Sequence, residues 1–260
     1  MTSATSATST TARTVPVETG AWVRRFHPGG QDAGHRLICF PHAGGSASFY
    51  FPVSRALTPG ADVLAIQYPG RQDRRHEPCL DSIGELADAL AAEVRPWCDR
   101  PVTFFGHSMG ATLAFEVARR LEAEGTVLHG LFASGRRAPS TVRDERVHLR
   151  DDEGLLADIT RLAGTDSAVL GDPEIVRMIL PAIRADYRAA ETYRYQPGPP
   201  LTCPLFVLTG DSDPHVTAEE ARAWERHTTG PYALRTYSGG HFYLNSQAGA
   251  VLGEVSAHLG

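Results

Sequence analysis

The stretch TFFGHSMGATLAF, Thr103 to Phe115, decides the fold. It begins as an apolar run of the kind that fills a strand buried on both faces. It leads into Met109 to Glu124, where Leu113, Val117 and Leu121 recur at helical intervals. Between the two stands Gly106-His107-Ser108-Met109-Gly110, a Gly-x-Ser-x-Gly sequence at a strand-to-helix junction. A junction of this kind forces its serine towards positive φ and lifts the hydroxyl above the strand end. Glycines are needed two positions either side, where strand and helix nearly touch and a Cβ would collide. The plainer reading is a glycine-rich turn with a bystander serine; the matching strand and helix favour a nucleophile elbow.

Outward from this point, buried-strand patterns alternate with helical ones. Strands are expected at Ala21 to Phe26 (an edge), His35 to Phe40, Asp62 to Tyr68, Thr126 to Ser134, Pro204 to Asp211 and Tyr232 to Tyr237. Helices are expected before Leu57, after a Ser82–Glu85 capping box, at Met109 to Glu124 and at Ala218 to His227. This alternation predicts an α/β architecture: a mostly parallel central sheet with helices on both faces. From about 140 to 200 the patterns are helical alone, which reads as an inserted helical lid. Leu155, Leu156, Ile159 and Leu162 mark one lid helix, and Asp172-Pro173-Glu174 opens another that Pro181 should kink or divide. Gly154, Gly164 and Gly171 would permit lid motion. Residues 1–17, rich in Ser, Thr and Ala, read as a disordered tail, leaving one domain over 18–260.

Composition narrows the chemistry. The chain has 260 residues, 42% of them hydrophobic, enough for a sizeable core. A formal net charge of −5 argues against nucleic acid as a partner. All 25 basic residues are arginine, so neither a Schiff-base lysine nor a phosphate-loop lysine exists. Cys39, Cys79, Cys98 and Cys203 form no Cys-x-x-Cys pair and read as free thiols in a reducing cytoplasm. No secretory signal or membrane-length run appears, and no metal-ligand spacing is present, so neither metal nor cofactor is expected.

A serine hydroxyl needs a base, and in this architecture the chain order is serine, acid, histidine. The loop after Pro204 to Asp211 carries Asp211 and Asp213; Asp211 sits at the strand end and can cap the turn, so Asp213 is favoured. The histidine belongs after the last strand, where Ser238-Gly239-Gly240-His241 places His241 on a glycine hinge; His215 and His227 are rivals. The backbone N–H of Met109, directly after the nucleophile, is one expected oxyanion donor. The other is expected in FPHAGGSA, Phe40 to Ala47, at Ala43. Tyr187 and Tyr193 are candidates to line an acyl pocket. Arg71, Arg74 and Arg75 are candidates to meet a phosphate or an acidic partner, and read equally well as a salt-bridged run.

The blocks CFPHAGGSASFY, YPGRQDRR, FFGHSMGATLAFEVARRL, ILPAIRADYRAAETY, GDSDPHV and GGHFYL, taken together and in this order, resemble the stand-alone type II thioesterases of polyketide and nonribosomal peptide assembly lines. The resemblance implies an α/β-hydrolase fold and hydrolysis of acyl or aminoacyl thioesters from the phosphopantetheine arm of acyl or peptidyl carrier proteins. It puts the family's catalytic serine, aspartate and histidine on Ser108, Asp213 and His241, and its oxyanion donors on Ala43 and Met109. His42, in the first glycine block, is a further candidate for substrate binding. The arm comes with the substrate, so no cofactor is implied. A prodiginine pathway is one the resemblance admits, though no residue selects it. A carboxylesterase or lipase, an acyltransferase and a non-catalytic scaffold remain the alternatives.

Overall fold

The computed structural model describes residues 17–18, 20–162 and 172–260. Eight strands make one sheet: β1 (Val17–Glu18), β2 (Val23–Arg25), β3 (Arg36–Phe40), β4 (Asp62–Ile66), β5 (Val102–His107), β6 (Gly130–Ser134), β7 (Leu205–Gly210) and β8 (Tyr232–Tyr237). Their spatial order is β1-β2-β4-β3-β5-β6-β7-β8. Strands β3 to β8 run parallel, while β2 lies antiparallel on β4 and β1 on β2. The apolar runs explain the interior: every residue of β3, β4, β5 and β6 is buried, as expected of strands covered on both faces. β8, at the edge, is half-buried to exposed.

Side chains alternate across this sheet. Ile38 and Phe40 of β3 enter one core with α2 (Ile83–Val94) and α3 (Met109–Ala123). Leu37 and Cys39 enter the opposite core with α1 (Phe51–Leu57) and the C-terminal α8 (Ala248–Leu259). Between β6 and β7 the described residues hold no named strand. That insertion carries α4 (Asp152–Arg161) and α5 (Pro173–Thr192), joined by a small core of their own around Leu155, Ile159, Leu180 and Ile183. Two further short α-helices among the described residues are α6 (Ala218–Arg222) and α7 (Tyr243–Ser246). No helix among the described residues is long and apolar enough to cross a membrane. Cys39, Cys79, Cys98 and Cys203 are free thiols.

Several local expectations need correction. Val17 pairs with Arg25 in β1, so the expected tail does not extend through residue 17; residues 1–16 lie outside the described residues. Gly164 and Gly171 also lie outside them. Ser82 precedes α2 but its side chain makes no cap hydrogen bond. Burial of Ile83, Leu86, Leu90 and Val94 holds that helix instead. The reciprocal capping box forms at Thr217 and Glu220. β6 begins at Gly130, later than expected, because the Thr126 N–H bonds back to Leu121. Helix α5 does not divide at Pro181. The proline sits on the exposed face, and the Arg177 carbonyl it leaves unbonded belongs to an exposed residue that water can serve. On the inner face Leu180, Ala182 and Ile183 are buried and tie both halves down.

Candidate active site

β5 ends at His107 and α3 begins at Met109, so a single residue makes the turn. Ser108 takes φ 54° and ψ −118°, a conformation that costs a non-glycine residue about 1–3 kcal/mol. Hydrogen bonds hold it there: the Ser108 N–H donates to Ser134 O at 2.8 Å, and the Ala111 N–H donates to Ser108 O at 3.0 Å. The flanking glycines are sterically required. A Cβ on Gly106 would lie 2.2 Å from Gly110 O, and one on Gly110 would lie 2.0 Å from Phe40 O. Backbone atoms cannot rotate away from such contacts, so β3, β5 and α3 meet only where these positions lack side chains.

Ser108 opens into a cavity of about 530 Å³. His241 lines the same cavity, on the loop after β8, where Gly239 takes φ 132°. Its Nδ1 lies 2.9 Å from Asp213 Oδ2, and both side chains are buried. Asp213 Oδ1 accepts a second bond, from the His215 N–H at 2.8 Å, which fixes the carboxylate plane. Asp211 is turned elsewhere: its Oδ1 accepts from the Gly239 N–H at 3.0 Å and from the Ser212 hydroxyl at 2.9 Å, so it caps the loop. Of the rival histidines, His215 packs against His241 with ring centroids 5.3 Å apart and lines the cavity. His227 is elsewhere, bonded to Ser140 Oγ and packed among Phe115, Tyr195 and Trp224.

Ala43 and Met109 both line the cavity beside Ser108, as does His42. The His42 ring stands edge-on against Phe49 and Phe242. Burial, then the charges of His241 and Arg71, push its pKa down to about 3, so it is neutral at physiological pH. His107 is buried beneath the site, 5.1 Å from His241 between ring centroids, and its pKa is held well below the ordinary value, chiefly by burial. A chain of hydrogen bonds runs from it through Ser134 Oγ to the Tyr243 hydroxyl. His107 thus packs against His241, and His42 lines the cavity with it, both as neutral rings.

The insertion supplies the far wall. Ile159, Ile183 and Tyr187 line the cavity, together with charged residues that include Arg136, Glu145 and Asp158. Tyr193 does not line it, against expectation. α5 ends one residue earlier, and the Tyr193 hydroxyl is drawn to Glu116 Oε1 of α3 at 2.7 Å. The arginine cluster also resolves mostly into the plainer reading. Arg71 is buried against Asp186, and Arg74 is buried, pairs with Glu77 and stacks over Trp22. Arg75 alone of the three is exposed. Asp186 and the His107–Ser134–Tyr243 chain escaped the sequence reading, because their partners lie 27 to 142 residues away along the chain.

A family model described as a thioesterase domain matches residues 35–259. The chain is 57% identical over 238 residues to a probable cadicidin biosynthesis thioesterase of Streptomyces griseus, covering 92% of this chain and 66% of that one. It therefore spans just under two thirds of that relative's length. The solved type II thioesterase BorB from the borrelidin biosynthetic cluster superposes with a TM-score of 0.89 at 56% identity, over 94% of this chain and 99% of that one. RedJ, a thioesterase from the prodiginine pathway of Streptomyces coelicolor, superposes with a TM-score of 0.82 at 36% identity, over 88% and 87%. Elbow, histidine–carboxylate pair and sheet order thus occur in a chain that belongs to the thioesterase domain family and has the α/β-hydrolase fold.

Proposed function

We propose that the protein is a type II, editing thioesterase that hydrolyses acyl or aminoacyl groups from the phosphopantetheine arm of acyl or peptidyl carrier proteins. The observation that carries this reading is the strained Ser108 sharing one cavity with a histidine whose Nδ1 is bonded to a buried carboxylate. His241 Nε2 takes the Ser108 proton as Oγ attacks the thioester carbonyl, while Asp213 fixes the tautomer and stabilises the imidazolium. The Ala43 and Met109 N–H groups receive the developing oxyanion, each donor of this kind being worth about 3 kcal/mol of barrier. The departing thiolate needs little help from the imidazolium, so nucleophile activation and oxyanion stabilisation dominate. The imidazolium gives its proton to the departing thiolate, and the neutral His241 then deprotonates the water that releases the acyl group from Ser108.

The cavity volume falls within the ordinary range for small ligands, and its wall mixes apolar with charged side chains. That suits short or polar acyl groups better than long alkyl chains. The substrate brings its own arm, so the chemistry calls for no resident cofactor, and the four free thiols suit a reducing cytoplasm. The test is a panel of defined acyl groups on one carrier protein, with release followed by intact mass, against aryl oxoesters of the same acids. Much higher kcat/KM on the oxoesters would make the protein a carboxylesterase, and acyl transfer to an added alcohol in preference to water would make it an acyltransferase. Fluorophosphonate labelling of the parent but not of Ser108→Ala is expected; absence of labelling in both would leave a scaffold.

A further inference from the structure

The loop that carries Ala43 is held from outside the sheet. Its own closure is a tight turn, in which the Gly45 N–H donates to His42 O at 2.9 Å. Gly44, at φ 75°, donates its N–H to Asp186 Oδ2 at 2.7 Å. Asp186 lies on α5, in the helical insertion, 142 residues along the chain. The same carboxylate receives a two-pronged bond from Arg71, at 2.6 Å to Oδ2 and 2.8 Å to Oδ1. Arg71 also donates to Gly45 O at 3.1 Å and lies over the Tyr68 ring. One turn earlier on α5, Ile183 presses on Gly44, where an added Cβ would come within 3.0 Å of it.

We propose that Asp186, clamped by Arg71, is the positioning residue that sets the oxyanion site, so that the lid helix serves the chemistry as well as walling the cavity. This rests on the thioesterase reading and its assignment of Ala43 as a donor. The physical reason is geometric. The Gly44 N–H bond fixes the Ala43–Gly44 peptide and with it the Ala43 Cα, while the preceding planar peptide, which carries the Ala43 N–H, is held through its own oxygen, His42 O, by the Gly45 N–H, so the donor is pinned from both sides. An oxyanion donor must sit within tenths of an ångström of its target, and a misplacement of 1 Å costs on the order of 100-fold in rate. A bidentate guanidinium–carboxylate pair restricts both distance and plane, which a single neutral hydrogen bond does not. With Asp186 and Arg71 both buried, neither can find water as a substitute partner.

The test compares Asp186→Ala, Asp186→Asn and Arg71→Met with the parent. Four readouts are needed: kcat, KM, affinity for an alkyl boronic acid, and affinity for a non-hydrolysable acyl-pantetheine amide. The boronate forms a tetrahedral adduct on Ser108 and needs the oxyanion donors; the amide does not. Asp186→Ala is expected to lower kcat about 100-fold and to weaken the boronate by a similar factor, with KM and amide affinity within about threefold. Asp186→Asn keeps an acceptor for the Gly44 N–H and should fall between, which keeps the test alive if the alanine variant does not fold. A lowered melting temperature with kcat and boronate affinity intact in the asparagine and methionine variants would overturn the inference and leave a purely structural pair. A parent that binds no boronate, with Ser108→Ala still hydrolysing thioesters, would instead strike at the reading of Ser108 as the nucleophile.

Discussion

Asp213 and Asp211 stand two residues apart at the end of β7, and the structure predicts that replacing them with asparagine has very different consequences. Asp213 Oδ1 already accepts from the His215 N–H at 2.8 Å. An asparagine there must keep its oxygen on that N–H, so its amide nitrogen turns towards His241 Nδ1, 2.9 Å away in the parent. The imidazole then becomes the acceptor at Nδ1 and carries its proton on Nε2, which faces the serine with the wrong tautomer. Loss of the base and of the charge that stabilises the imidazolium together should cost about 10³–10⁴ in kcat, or about 4–5.5 kcal/mol of barrier. Asp211→Asn keeps an acceptor oxygen for the Gly239 N–H in an exposed site, so activity should stay within about threefold of the parent. The assay is steady-state hydrolysis of one acyl-carrier thioester at pH 7.5, with melting temperatures to exclude unfolding. The reasoning is refuted if Asp213→Asn keeps a tenth of the activity, or if the two variants fall equally far.

Gly110→Ala drives a Cβ into the Phe40 and Pro41 carbonyls and should destabilise the fold by about 3 kcal/mol; a melting temperature equal to the parent's would contradict the packing argument. Tyr193→Phe loses the bond to Glu116 and should cost about 1–2 kcal/mol of stability with kcat/KM unchanged. Tyr187→Ala should lower kcat/KM about tenfold, since that ring lines the cavity. The reverse ranking in kinetics would restore Tyr193 to the pocket. His227 has its pKa lowered from 6.5 to about 4, by burial first and then by Arg119 and Arg226. Between those values the unfolded chain binds a proton that the folded chain does not, so this contribution is whole above pH 6.5 and is lost as pH falls towards 4. Urea titrations at pH 7.5 and 5 should therefore show His227→Gln losing roughly 2 kcal/mol less than the parent; equal losses would refute the assignment.

Much of the fold was legible because its signals are local. A strand buried on both faces must be apolar throughout, as in Leu37 to Phe40 and Val63 to Ile66. A serine turn between strand and helix must carry small neighbours, and Gly106 and Gly110 declare it. The positions of Asp213 and His241 followed from where loops leave parallel strands. Local signals misled where packing outweighs them. Ser82 has capping spacing without a capping bond, and Pro181 is tolerated because its face of α5 is exposed while the opposite face is buried.

From its sequence alone this chain reads as a parallel α/β scaffold with a Gly-x-Ser-x-Gly serine at its rim and a candidate acid and base in the loops that follow, in that chain order. Those features depend on periodicity, turn chemistry and chain order, which neighbouring residues encode. Tertiary structure alone decided that Tyr187 faces the cavity while Tyr193 turns to Glu116, and that Arg71 is spent on Asp186. Each of these choices is a competition among partners far apart in the chain, settled by which groups the fold brings within hydrogen-bonding distance and which it leaves to water.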